Sequence, residues 1–246
     1  MGCEWQLRSS EDGTDGKVFV QRYDRMETLY LTTGDVAALH QMNTDYPEQT
    51  RTLIEDLLQL GHVNDSGINK RFFLFFQDTT LQTLIEDVNS QYADMSDIDD
   101  QLTKSFQWLK EHLPNINVPT IYTQISSLDQ SIVVCNGSLG VSLDKYLGIN
   151  YPVYIRYGFT ERQRTTMTRS YIVPDCLCFY LLSLYPLSPA RDTIQSARFQ
   201  HMGRIQHVIN SCLGYQHFKN DHVKNAEAFL QEHPGMTLHD MLLDSK

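Results

Sequence analysis

Long apolar runs, paired cysteines and the signatures of common catalytic folds are scarce or missing in this chain of 246 residues. The longest apolar stretch, Cys176 to Leu187, is interrupted by Ser183 and followed by Pro189. It falls short of the ~20 residues that a helix needs to cross a bilayer. No basic start leads into an apolar run at Met1, so no secretory leader is read there. The five cysteines are Cys3, Cys135, Cys176, Cys178 and Cys212, too few and too scattered for a disulfide framework. On a helix, Cys176 and Cys178 point about 200° apart, which fits buried thiols better than a bond or a shared metal. Basic charge is sparse too. Twenty Lys and Arg against thirty Asp and Glu leave a formal charge of −10. Such a surface repels a nucleic-acid duplex, so no nucleic-acid partner is expected. Arg156, Arg162, Arg164 and Arg169 do crowd one stretch, offset only by Glu161, and are read as a solvated loop. No H-E-x-x-H, Walker loop, G-x-S-x-G or Rossmann fingerprint occurs, and Gly137, Gly140 and Gly148 are not spaced to cradle phosphate.

What is present is an ordinary globular composition, 41% apolar and 20% charged, in a chain long enough to bury a real core. Met1-Gly2-Cys3 is followed by a polar run from Arg8 to Gly16 that contains no apolar residue. Residues 1–17 therefore read as a flexible tether, and residues 18–246 as a single domain. A cysteine, a spacer and then a domain is how a bacterial lipoprotein is built. Gly2 supplies the small residue that precedes a lipidated cysteine, which makes Cys3 the candidate lipid anchor. Myristoylation of Gly2 fits less well, because position 6 is Gln6 rather than Ser or Thr.

Val18-Phe19-Val20 predicts a short strand, and helical periodicity dominates from there to about residue 113. Helices are expected at Asp35–Met42, from Pro47-Glu48 through Leu60 with Gly61 as the stop, and across the phenylalanines at 72–76. Two more are expected from Leu81 to Tyr92 after an Asp78 cap, and from a Ser96 cap to Leu113. Thr120–Ile125 and Ser131–Cys135 read as strands joined by a loop at 127–130, with a third at Leu139–Leu143 after the turn Asn136-Gly137. A helix opens at Pro174-Asp175 and runs to Tyr185. Another covers Asp192–Leu213 and stops at Gly214, and two shorter ones follow. The fold class is α+β, mainly α-helical, with a small mixed β-sheet packed by helices.

Six of the nine histidines lie after residue 200: His201, His207, His217, His222, His233 and His239. Helical metal pairs need separations of three or four. The six-residue step from His201 to His207 turns the second ring about 240° away from the first. Asp144, Asp175 and Asp192 could be paired as acid and base, but each also has a plain place as a turn, first-turn or cap residue.

Several segments, in order, carry a resemblance. They are Ile121–Ser126, Gly137-Ser138-Leu139-Gly140-Val141-Ser142-Leu143-Asp144-Lys145-Tyr146-Leu147-Gly148, Tyr151-Pro152-Val153-Tyr154, Met167-Thr168 and Tyr171-Ile172-Val173-Pro174-Asp175. Together with Gln21-Arg22-Tyr23-Asp24 and the helices around Tyr46-Pro47, they resemble the gliding-motility lipoprotein B (GldB) family over roughly residues 18–215. The motif Ser-Leu-Asp-x-Tyr-Leu-Gly is its most specific part. The family tends to have Gly-Lys and an aromatic where this chain has Gly203-Arg204-Ile205-Gln206-His207, and the likeness fades after Gly214.

The resemblance implies a lipidated envelope protein of gliding Bacteroidota-type bacteria and their relatives, in an outer-membrane setting, anchored through Cys3 and facing the periplasm. It also implies a distant likeness to zincin-type metallopeptidases. The helix from Pro174 would then stand where a peptidase carries H-E-x-x-H, and it offers Asp175, Cys176 and Cys178 instead of histidines. Such a scaffold lacks the ligands that polarise a zinc-bound water, as in a pseudoenzyme. The expected function is a non-enzymatic envelope scaffold or interaction component whose partners are other envelope proteins and, through Cys3, the membrane. Its cleft would involve Asp144, Tyr146, Asp175, His201, Arg204 and His207. No catalytic residue, metal or cofactor is expected. The alternatives are a zinc hydrolase with non-standard ligands from the late histidines, and a periplasmic small-ligand binding module.

Overall fold

The computed structural model describes residues 16–243, and the expected anchor Cys3 and nearly all of the expected tether lie outside them. These residues form two compact units, each assembled from discontinuous segments. One, the sheet unit, comprises Phe19–Ser96 and Thr120–Ile172. The other, the helical unit, takes in residues 16–18, Asp97–Pro119 and residues 173–243. The mainly helical α+β class is as expected, with thirteen α-helices and a three-stranded sheet among the described residues.

The sheet unit begins with α1 (Tyr23–Thr33), α2 (Val36–Asp45) and α3 (Pro47–Arg51). Gly34 closes α1 in the left-handed conformation, and Asp35 at once caps α2 by accepting from the Ala37 and Ala38 amides. After α3 the chain widens into a π-helical turn, Thr52–Leu57, in which Leu58 N–H reaches back five residues to Leu53 O. That helix does not stop at Gly61. Gln59 already has a positive φ of 51°, so the reversal comes two residues earlier, and the Gly61 expectation is corrected. α4 (Ile68–Phe75) and α5 (Thr79–Gln91) follow. The phenylalanine run is helical, with Phe72 and Phe76 buried and Leu74 and Phe75 exposed, and Asp78 caps α5 as expected.

β1 (Thr120–Gln124), β2 (Ile132–Cys135) and β3 (Ser138–Ser142) lie in the order β1-β3-β2. β2 and β3 form a hairpin through Asn136-Gly137, both at positive φ as a two-residue turn requires. β3 then pairs parallel with β1, so the first two strands are not neighbours, as a loop connection suggested. The Val18–Val20 strand does not form. Its place is taken by a single parallel bridge between Gln21 and Tyr122, because the Arg22 guanidinium already grips Asp24 at 2.7 Å and α1 starts at Tyr23. The arginine-rich stretch is not a loop but two short helices, α7 (Pro152–Arg156) and α8 (Glu161–Arg164), and a 3-10 turn at Arg169–Tyr171. Arg164 donates to Phe159 O and Ile149 O, and Arg169 to Gln91 O and Asp94 O.

The helical unit is built from α6 (Ser96–His112, here from Asp97), α9 (Ile172–Leu184, here from Val173), α10 (Pro189–Asp192), α11 (Gln195–Leu213), α12 (Asp221–Glu232) and α13 (Leu238–Leu243). α9 is apolar on nearly every side: Val173, Cys176, Leu177, Cys178, Tyr180 and Leu181 are all buried. That pattern marks a core helix rather than an amphipathic one. Phe106 of α6 meets Tyr180 edge-on at 5.2 Å. The expected helix from Asp192 is split, because Thr193 and Ile194 separate α10 from α11. α11 and α12 cross so closely at Gly203 that a Cβ there would lie 2.3 Å from His222 O. Among the described residues no helix is long and apolar enough to cross a membrane.

Candidate functional site

The sheet unit holds a pocket of about 240 Å³ at one end of its sheet. The register explains its walls. Thr120, Ser138 and Cys135 are paired across the three strands, so their side chains leave the same face. Two residues along, on that face, stand Tyr122 and Gly140. The Tyr122 ring lies on Gly140 so tightly that a Cβ there would sit 2.6 Å from the phenol oxygen. Only glycine permits this approach. Asp45, Glu48, Gln49 and Thr52, from α2, α3 and the π-turn, complete the wall with Gln21.

Tyr122 is 2% exposed, yet its hydroxyl finds no hydrogen-bond partner among the described residues. Burial, with Cys135 and Glu27 nearby, holds the phenol far above its usual range, so it stays protonated. Cys135 is half-buried, and Thr52 Oγ1 donates to its sulfur at 3.6 Å. Cys176, Cys178 and Cys212 are buried instead, and burial pushes their thiols up, Cys178 to about 12 and Cys212 to about 11.

Behind the sheet the same unit buries three carboxyls: Asp24, Glu27 and Asp144. Asp24 is neutralised by Arg22 and accepts from Thr123 Oγ1. Glu27 has no such cation. Its Oε2 accepts from Ile125 N–H at 2.8 Å, and its Oε1 has no partner. Burial raises its pKa well above the carboxylate range, opposed by the Ile125 bond and helped by Asp144 and Asp24. The carboxyl is thus held towards its neutral form.

Asp144, one of the expected cleft residues, is fully buried and structurally committed. It accepts from Ser126 N–H at 3.0 Å and Leu128 N–H at 2.5 Å. Between them Ser127 and Leu128 both adopt positive φ, which side-chain-bearing residues rarely do. The carboxylate therefore holds a strained turn, and Lys145 Nζ closes it by donating to Leu128 O. Burial raises the Asp144 pKa against these backbone donors. Tyr146, 1% exposed, offers its carbonyl to the Tyr92 hydroxyl at 2.6 Å. Tyr154 bridges Asp144 O and Leu147 N–H, while Leu147 pairs with Thr168. Ser126, Asp144 to Leu147, Tyr154 and Thr168, all from signature segments, thus converge on one buried knot.

The other four expected residues belong to the helical unit. Asp175 sits in the first turn of α9, where the helix dipole favours an acid. Arg204 is buried, donates to Met241 O and lies 4.4 Å over the Phe229 ring. His207 approaches Glu227 at 3.7 Å, and burial lowers its pKa against that carboxylate. His201 is 4% exposed, and neither ring nitrogen makes a well-formed hydrogen bond. Burial lowers its pKa, opposed by the Tyr185 backbone and helped by Arg204 and Arg191. Among the described residues no three His, Cys, Asp or Glu side chains converge as a metal-binding group.

Sequence reasoning missed Tyr122, Thr52 and Glu48 as pocket residues. The available signal was Gly140, a lone glycine inside a strand pattern, which marks close approach by another group.

This helical α+β architecture, with a signature built into a buried knot, belongs to a family already defined by sequence. Residues 6–218 match the family described as gliding motility protein GldB, and the chain belongs to that family. No curated protein and no solved structure matches the chain.

Proposed function

We propose that the chain is a lipid-anchored component of the bacterial cell envelope, tethered through Cys3, that acts by binding other envelope proteins rather than by catalysis. The match of residues 6–218 to a gliding-motility lipoprotein family carries this reading. Cys3, behind Gly2 and ahead of a polar spacer, supports the anchor. The roles of the expected cleft residues and of Lys145 support the non-catalytic part. Asp144 and Lys145 hold a strained turn, Tyr146 anchors Tyr92, and Arg204 ties α11 to Met241. A group fully engaged in backbone contacts is poorly placed to move protons on a substrate. A zincin-like ancestry would fit this reading, with α9 carrying Asp175, Cys176 and Cys178 where a peptidase has zinc ligands.

Crosslinking in intact cells, then purification from the envelope fraction, tests the reading. The expected result is one reproducible envelope protein recovered in near-equal amount. Stoichiometric zinc in the purified protein, lost on His201→Ala or His207→Ala and accompanied by hydrolytic activity, would replace it with the zinc-hydrolase alternative.

A further inference from the structure

We infer that the pocket at the end of the sheet binds a cationic nitrogen group, an alkylammonium or a guanidinium. The inference is independent of the lipid anchor and of any envelope partner. Three observations carry it.

The first is an orphaned hydroxyl. Tyr122 is 98% buried by its 2% exposure, lines the pocket, and has no hydrogen-bond partner among the described residues. The side chain as a whole is buried, but its oxygen is not sealed off as the fully buried unpartnered polar atoms are, so a group in the pocket can reach it and supply the bond it lacks. The close seat on Gly140 fixes where that oxygen stands.

The second is charge. Asp45 and Glu48 line the pocket, and no Lys, Arg or His does. Arg51 approaches Glu48 only to 3.8 Å, with both side chains half exposed, so solvent screens that pair. An anion would meet two carboxylates and no counter-charge. A cation would meet both.

The third is the balance of donors and acceptors. Cys135 sulfur already accepts from Thr52, and Asn136 Nδ2 already donates to Glu48. What remains on the lining is two carboxylates that can only accept, and the Gln21, Gln49, Thr120, Ser138 and Tyr122 groups, which can accept as well as donate. An ammonium brings three donors and a guanidinium five, with no acceptor to satisfy. A space of about 240 Å³ corresponds to about eight water-sized volumes, enough for the head and short alkyl stem of such a group.

The group could come from a free amine or from a basic side chain of another polypeptide. Calorimetric titration of the full chain with agmatine, with an acetyl-Gly-Arg-Gly-amide peptide and with sorbitol separates these cases. Agmatine or the peptide is expected to bind at millimolar concentration or better, and sorbitol not at all. Tighter binding of the peptide identifies a chain as the source, and equal binding identifies the free amine. The Asp45→Asn/Glu48→Gln pair alters only exposed side chains, and it should weaken binding at least tenfold. Tyr122→Phe keeps the ring and should weaken it severalfold. No heat from either cationic probe, or binding of sorbitol in their place, overturns the inference. So does agmatine binding that survives both substitutions.

Discussion

Replacing Glu27 by Gln should stabilise the protein, and increasingly so as the pH rises. Glu27 is fully buried, keeps one bond to Ile125 N–H, and faces Asp144 and Asp24 rather than a cation. Its folded-state pKa is therefore raised. Between its unfolded and folded pKa values the native state holds a proton that the unfolded chain has released. In that window stability falls as pH rises, by at most about 1.4 kcal/mol per pH unit for one group. The contribution is intact below the unfolded pKa and gone above the folded one. Gln keeps an oxygen to accept from Ile125 and carries no charge at any pH. The gain at pH 8 should be on the order of 1–3 kcal/mol, the cost of a buried polar group left without its partner. Urea denaturation of both proteins between pH 4 and pH 9 reads the difference directly, and the shared response of all other carboxyls cancels. A constant difference across that range, or a variant less stable at pH 8, refutes the burial account of Glu27.

Four other outcomes follow from single contacts. Asp144→Ala orphans the Ser126 and Leu128 amides beneath a strained turn and should cost on the order of 2–5 kcal/mol in denaturant unfolding, with Asp144→Asn costing less. Gly140→Ala forces Tyr122 off its strand and should cost about 1–3 kcal/mol. Gly203→Ala drives a methyl group into the His222 backbone where α11 and α12 cross, and a loss at the upper end of that range or beyond is expected. Of the four cysteines among the described residues, Cys135 should react first with a thiol reagent in the folded protein, and Cys135→Ser should abolish that fast phase. Fast labelling of Cys176 or Cys212 would contradict the packing of the helical unit.

Much of the fold was legible because short-range chemistry fixed it. Asp35 and Asp78 are caps placed directly before apolar periodicity, and Gly214 is a left-handed stop. The errors came where partners distant in sequence decided the outcome. Ser96 was read as a cap, yet its amide and hydroxyl both donate to Asp94, and it is the first helical residue. Strand order could not be read from three short β-branched runs, since parallel pairing of β1 with β3 depends on contacts 18 residues apart. For the same reason the signature looked like a cleft. Asp144 and Tyr146 stood out as polar and aromatic residues in a specific motif, but the positive φ of Ser127 and Leu128 that gives Asp144 its task shows only in three dimensions. The pocket stayed hidden because its walls come from α2, α3, a π-turn and all three strands.

The proposed function rests most heavily on a lipid anchor at Cys3, which is itself a proposal. Feeding an alkynyl fatty acid to the native bacterium, then fractionating the cells, tests it directly. The wild-type chain should carry the label and sediment with the envelope, and Cys3→Ala should lose both. An unlabelled wild-type chain, or a Cys3→Ala chain that is still labelled and envelope-bound, would contradict the anchored reading.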